Sequence, residues 1–184
     1  MNKGYKILVT ASLLSSLSEG LFGPFYAIYV ENIGGSILDI GQTMAVFAIT
    51  TGILMMIMGK VSDKINKQFV VILGYVLYAL GTFGYLIINN TWQLFILQII
   101  FAIGTACLAA PWSALFSKFI QKKTEGLQWG LEGGGQHIIF GLAVFVGTFI
   151  INQWGFGVLF FSMFLIHVCA VIVQSRLYFV SRKN

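Results

Sequence analysis

Residues 59–67 read Gly59-Lys60-Val61-Ser62-Asp63-Lys64-Ile65-Asn66-Lys67, a short charged connection between two long apolar runs. The glycine lets a helix end or pack tightly, and Asp63 can cap a helix or meet a cation. The three lysines mark a side of a membrane, because short loops rich in Lys and Arg stay in the cytoplasm. Outward from this loop the same sign recurs at every second connection. Basic residues precede the first apolar run (Lys3, Lys6), separate the fourth and fifth (Lys118, Lys122, Lys123) and follow the sixth (Arg176, Arg182, Lys183). The intervening connections, Glu31 to Asp39, Asn89 to Thr91 and Asn152 to Gly155, carry none of the eleven basic residues. The alternation predicts six spans with both termini cytoplasmic.

Bulk composition agrees. The chain has 184 residues, 58% hydrophobic and 9% charged, against roughly a quarter charged in soluble domains. A span needs about 20 apolar residues, so six spans use nearly the whole chain and leave no room for a soluble domain. The net charge of +5 sits at juxtamembrane positions, where it attracts anionic lipid and controls topology; membrane lipid is the expected partner and nucleic acid is not. The run after Lys3 and Lys6 is too long for a signal peptide, contains Glu19 and lacks a small-x-small cleavage site, so it reads as a retained first helix. Cys107 and Cys169 fall inside spans as small hydrophobes.

The spans are expected at 7–30, 40–58, 69–88, 92–119, 127–151 and 156–180, forming one all-α polytopic domain. Barrel strands are excluded, since these runs are long and uniformly apolar rather than alternating. Turn chemistry falls at Gly34-Gly35-Ser36, Asn89-Asn90 and Gln153-Trp154-Gly155. Trp92, Trp129 and Trp154 lie near span ends, where indole favours the headgroup region. In the first span Ser12, Ser15, Ser16, Glu19, Gly23 and Tyr26 recur at steps of three or four, a polar stripe on one face. Gln98, Thr105 and Trp112 make a weaker stripe in the fourth, which Pro111 is expected to bend. Tyr75, Tyr78, Thr82 and Tyr85 share a face of the third. The fifth is glycine-rich (Gly133, Gly134, Gly135, Gly141, Gly147), which favours close helix approach.

The loop's spacing resembles the signature loop of the major facilitator superfamily: glycine, aspartate four residues later, a basic residue, then glycine and further basics. Gly59, Asp63, Lys64 and Lys67 match, while Asn66 replaces the second glycine, a mild departure because asparagine tolerates a left-handed backbone. Gly23-Pro24 leading to Tyr29, Gly34 and Asp39-Ile40-Gly41 look like that family's first external loop and entry to its second helix. Ala110-Pro111 with Ala114-Leu115 looks like the end of its fourth. The resemblance covers the whole chain but only one six-helix half of the usual twelve-helix protein. Two family features are missing. No basic residue precedes Gly104 in the fourth span, and the fifth has no proline, so proton coupling and antiport are not inherited.

Glu19 stands out, since a carboxylate near the bilayer midplane costs about 2.5–3.5 kcal/mol on insertion scales and is usually kept for ion, proton or substrate handling. The alternative is a carboxyl that locks helices together. The candidate pathway comprises Glu19, Ser12, Ser16, Tyr26, Gln98, Thr105, Trp112, Gln136 and His137. Glu132 reads as a structural partner of a loop lysine or of the neighbourhood of Asp63, and His167 as a packing contact. The gating loop comprises Gly59, Asp63, Lys64, Lys67 and Lys118, with Asp63 expected to pair with Lys118; the alternative is a loop that only holds orientation. Gly133-Gly134-Gly135 lacks a following Lys-Ser/Thr and lies in an apolar helix, so it binds no nucleotide. No nucleophile, histidine and acid form a motif, so no catalytic residue, cofactor or metal is expected.

The resemblance implies secondary transport of a small molecule by alternating access, with the first and fourth helices lining the cavity and the second and fifth meeting the other half. A parallel homodimer would recreate the full arrangement. The alternatives are one half of a heteromeric transporter, a non-transporting membrane binding or assembly protein, or a piece of a longer transporter. The ending in Arg182-Lys183 just after the sixth span argues mildly against the last of these. Serine, tyrosine, glutamine and one acid suit neutral or cationic substrates better than anions, and a bacterial-type inner membrane is expected.

Overall fold

The structure, a computed structural model, describes residues 3–181; Arg182 and Lys183 of the basic pattern lie outside them. The described chain is helical. It comprises α1 (Lys3–Phe22), a 3-10 turn (Gly23–Phe25), α2 (Tyr26–Asn32), α3 (Ile37–Ser62), α4 (Lys67–Gly84), α5 (Thr91–Phe119), a 3-10 turn (Lys122–Thr124) and α6 (Glu125–Ser181). Five segments are long and apolar enough to cross a membrane: 3–32, 37–62, 67–84, 91–119 and 122–178.

The last is too long for one crossing. A continuous helix of 57 residues would extend about 85 Å, nearly three times the hydrocarbon thickness. Gly155 breaks it, at φ 77° and ψ −178°, a backbone region open essentially to glycine alone. The arms then run side by side. Gly147, before the pivot, abuts Leu21, while His167, after it, bonds Ser18 on the same helix. Counted as two arms, α6 brings the spans to six. The expected connection at Asn152–Gly155 is therefore a single-residue pivot, with helix up to Trp154.

Capping chemistry sets the other boundaries. Ser36 and Asp39 form a reciprocal capping box, so α3 starts at Ile37 rather than 40. Asn66 caps α4 by accepting from the Gln68 amide at 3.0 Å, at a φ of −67° that asks nothing of a left-handed backbone. Asn90 caps α5 through the Gln93 amide at 3.1 Å. The first span is interrupted where Gly23-Pro24 breaks the helix into α1 and α2, because proline lacks the N–H that would continue it. The third span ends early, with residues 85–87 in turns. α5 runs through Pro111 as one helix.

α1 lies between the two arms of α6; α4 packs on α5 and on α6, and α3 packs on α5. Two close approaches need glycine. A Cβ at Gly147 would lie 2.2 Å from the Leu21 carbonyl oxygen, and one at Gly20 2.6 Å from that of Phe140. The expected close packing of the glycine-rich fifth span thus holds at Gly147. Gly133, Gly134 and Gly141 face open space.

Two apolar clusters fill the bundle. One, nearer the lysine-bearing loops, is built around Tyr5, Leu8, Val71, Tyr75, Trp112 and Phe116. Trp129, expected at the headgroups, packs into it edge-on against Phe116 at 4.5 Å. The other centres on Phe22, Tyr29, Tyr85 and Phe160, with ring centroids 4.8–5.7 Å apart. Outside, large apolar side chains stand bare on every face, Met56 at 72% and Phe145 at 65% among them. Water would not tolerate such a surface; lipid does.

Candidate functional site

Two cavities open on one flank of the bundle and meet at Glu19 and Tyr78, which line both. The basal cavity, on the side of the lysine-bearing loops, measures about 310 Å³. α1 gives it Ser12, Ser15, Ser16 and Glu19, and α4 gives Tyr75 and Tyr78. Thr105, Trp112 and Ser113 come from α5, and Gln136 from the first arm of α6. The distal cavity, about 390 Å³, is more aromatic. Phe22, Tyr26, Tyr85, Phe101 and Phe140 line it with Met44 and Phe47 of α3, Gln98 of α5 and His167 of α6.

The polar stripe of α1 explains the site's position. Residues three or four apart share a helical face, and this face turns away from the apolar knots and into the cavities. Glu19 is exposed to that space and accepts a hydrogen bond from Ser15 Oγ at 3.0 Å. Tyr78 hydroxyl and Thr105 Oγ1 lie 2.8 Å apart across α4 and α5. In the distal cavity Gln98 Nε2 donates to the Tyr26 hydroxyl at 2.8 Å, which donates to Thr43 Oγ1 at 2.6 Å. That chain ties α5, α2 and α3 together. Neither cavity has a Lys or Arg in its lining, and Glu19 is the lining carboxylate.

Of the expected pathway residues, the structure brings Ser12, Ser16, Glu19, Thr105, Trp112 and Gln136 to the basal cavity and Glu19, Tyr26 and Gln98 to the distal one. His137 is a correction. It is exposed on the outward face of α6, because consecutive helical residues point about 100° apart and Gln136 takes the inward position. Tyr75 and Tyr78 were legible as one face of their span but were not assigned to the site. His167 lines the distal cavity as well as packing: Nδ1 lies 3.0 Å from Ser18 Oγ and its buried Nε2 has no partner.

Two ionic expectations are also corrected. Asp63 pairs with Lys67 at 3.1 Å, and among the described residues no ion pair joins it to Lys118. Asp63 and Lys67 lie one helical turn apart, so their pairing orders little chain, whereas Lys118 ends a different helix. Lys67 also donates to the Ser62 carbonyl at 2.8 Å. Among the described residues Glu132 pairs with no lysine. It is 5% exposed, accepting from Ser12 Oγ at 3.0 Å and from Gln136 Nε2. Gly59 lies inside α3, with open space where a Cβ would stand, and Lys64 is exposed.

Fold and cavities together define a polytopic helical membrane protein with a polar, acid-bearing cleft on one flank. The chain belongs to the Major Facilitator Superfamily, whose pattern it matches over residues 8–184. It is 21% identical to an MFS-type transporter of Methanocaldococcus jannaschii over 174 residues, 95% of this chain and 45% of that protein. It is 30% identical to a transporter of Buchnera aphidicola over 186 residues, 97% of this chain and 47% of that protein. A shorter likeness, 28% over 90 residues, links 49% of the chain to 23% of the quinolone resistance protein NorA of Staphylococcus aureus. The chain spans about half the length of the relatives it matches end to end.

Proposed function

We propose that this six-helix unit is one half of a secondary active transporter, completed by a second copy of itself around a twofold axis along the membrane normal. The observation that carries the reading is the cleft. It is polar, opens on one flank and is edged by two helices whose outward faces pack on nothing within the chain. Those edges are α3, whose buried residues are only Thr43 and Ser62, and the first arm of α6 with its bare Gly133, Gly134 and Gly141. A twofold axis through the cleft sets α3 of one protomer beside the first arm of α6 of its partner, and closes the cavities against their copies. Alternating access is then a rocking of the two protomers. In this reading the lysine-bearing loops face the cytoplasm of a bacterial-type inner membrane, and Asp63–Lys67 stiffens the loop between α3 and α4. Glu19, present twice, binds a proton or the cationic group of a small substrate.

Counting labelled subunits per particle in a dilute lipid bilayer tests the assembly. A persistent dimer is expected, with a cysteine on α3 cross-linking to one on the first arm of α6 of the partner. A strict monomer overturns the homodimer and points to a separately supplied half. Uptake driven by a pH gradient should fail in Glu19→Gln, and uptake unchanged across pH would remove the acid's coupling role.

A further inference from the structure

Glu132 is the one carboxyl buried in the bundle that the proposed pathway leaves without a task. Its carboxylate is held by Ser12 and Gln136, both of which line the basal cavity. On the same face of α1, one turn further along, Ser15 holds Glu19. Ser12 and Ser15 therefore stand between two carboxyls, one at the junction of the cavities and one toward the lysine-bearing loops. A second polar group without a partner belongs to a residue that borders this space. Trp112, 9% exposed, lines the cavity, and its buried indole N–H has no acceptor. A cavity of about 310 Å³ has room for several waters.

We infer that Glu19 and Glu132 form one coupled proton site, with Glu132 the station nearer the lysine-bearing end. An O–H bond breaks at Glu19 as one forms on the Glu132 carboxylate, with the Ser15 and Ser12 hydroxyls and cavity water passing the proton between them. The pair keeps one negative charge throughout, so no second charge is created in the membrane interior. No cationic side chain lines the cavity to compensate one. The titratable groups facing the pair are Tyr5 on α1, Tyr75 and Tyr78 on α4 and His167 on α6; Tyr75 is within electrostatic reach of both carboxyls. α5 presents Thr105, Trp112 and Ser113 to this cavity, none of which titrates near neutrality. The inference rests on the transport reading only in naming the proton as the coupling ion.

The test needs no substrate. The carboxyl C=O stretch of the full chain in lipid bilayers is followed by infrared spectroscopy across pH. Spectra of the double variant Glu19→Gln/Glu132→Gln are subtracted to remove the other acids. Coupled groups titrate in macroscopic steps that belong to the pair. Two steps are expected in the parent; the single variant that keeps the more acidic carboxyl should titrate near the first step, and the other should titrate about one pH unit or more below the second. Ser12→Ala keeps both carboxyls, removes a hydrogen bond to Glu132 and should move at least one midpoint. Single variants that each reproduce one parental step unchanged would overturn the coupling. Should Glu132→Gln fail to fold, unmoved midpoints in Ser12→Ala decide against the inference. Coupled titration in a protein that moves no substrate would leave the inference standing and sink the transport reading. Pumping with independent titrations does the reverse.

Discussion

Gly147→Ala should loosen the bundle at its tightest point. The new Cβ would sit 2.2 Å from the Leu21 carbonyl oxygen and 3.0 Å from Leu21 C and Cα. All three are backbone atoms, so no rotamer change relieves the contact. Either α1 or the first arm of α6 must shift by about 1 Å, since carbon and oxygen pack at roughly 3.2 Å or more. Overpacking of this kind costs about 1–3 kcal/mol, set against a gain of up to about 1 kcal/mol from replacing a helical glycine. A net loss of about 1–2 kcal/mol corresponds to roughly 2–8 °C in a chain of this size. The control is Gly134→Ala on the same helix, where a Cβ meets nothing within 4 Å. It should unfold no earlier than the parent. Thermal unfolding of both variants in detergent, followed by circular dichroism, makes the comparison. Equal tolerance at the two sites would refute the α1–α6 packing, and with it the position of the stripe facing the cleft.

Three further outcomes are expected. Tyr26→Phe removes the hydroxyl that accepts from Gln98 and donates to Thr43, leaving a buried amide without that partner; about 1–3 kcal/mol of stability should be lost, and thermal unfolding should register it. Gly155→Ala forces a side chain onto a φ of 77° and ψ of −178° and should cost about 1–3 kcal/mol, read as reduced yield of inserted, protease-resistant protein, whereas Gly157→Ala, with open space around it, should not. Asp63→Asn breaks an exposed pair and should change unfolding by less than about 1 kcal/mol; a large destabilisation would mean that the loop is more than a local tie.

The sequence by itself determined that the chain is a multi-pass helical membrane protein, and the signs of its loops set the expectation for its orientation. Lipid demands runs of about 20 apolar residues with satisfied backbones, and the sign of each short loop is read as the chain inserts. Both are local rules, so Lys60, Lys64 and Lys67 carry them without any partner. The stripe Ser12–Ser15–Ser16–Glu19 was legible for the same reason, helical periodicity being local. What the tertiary structure decided depends on which helix lies beside which. Neighbouring residues of α6 diverge, Gln136 into the cavity and His137 outward, because the helix presents one face to α1. Glu132 meets Ser12, 120 residues away in sequence, instead of a lysine, and Asp63 takes Lys67 one turn on, since Lys118 ends another helix. Gly147 is pressed on Leu21 while Gly134 is bare, though composition makes them alike. The pivot at Gly155 lets both arms of α6 embrace α1, and that contact decides which polar groups share a cavity.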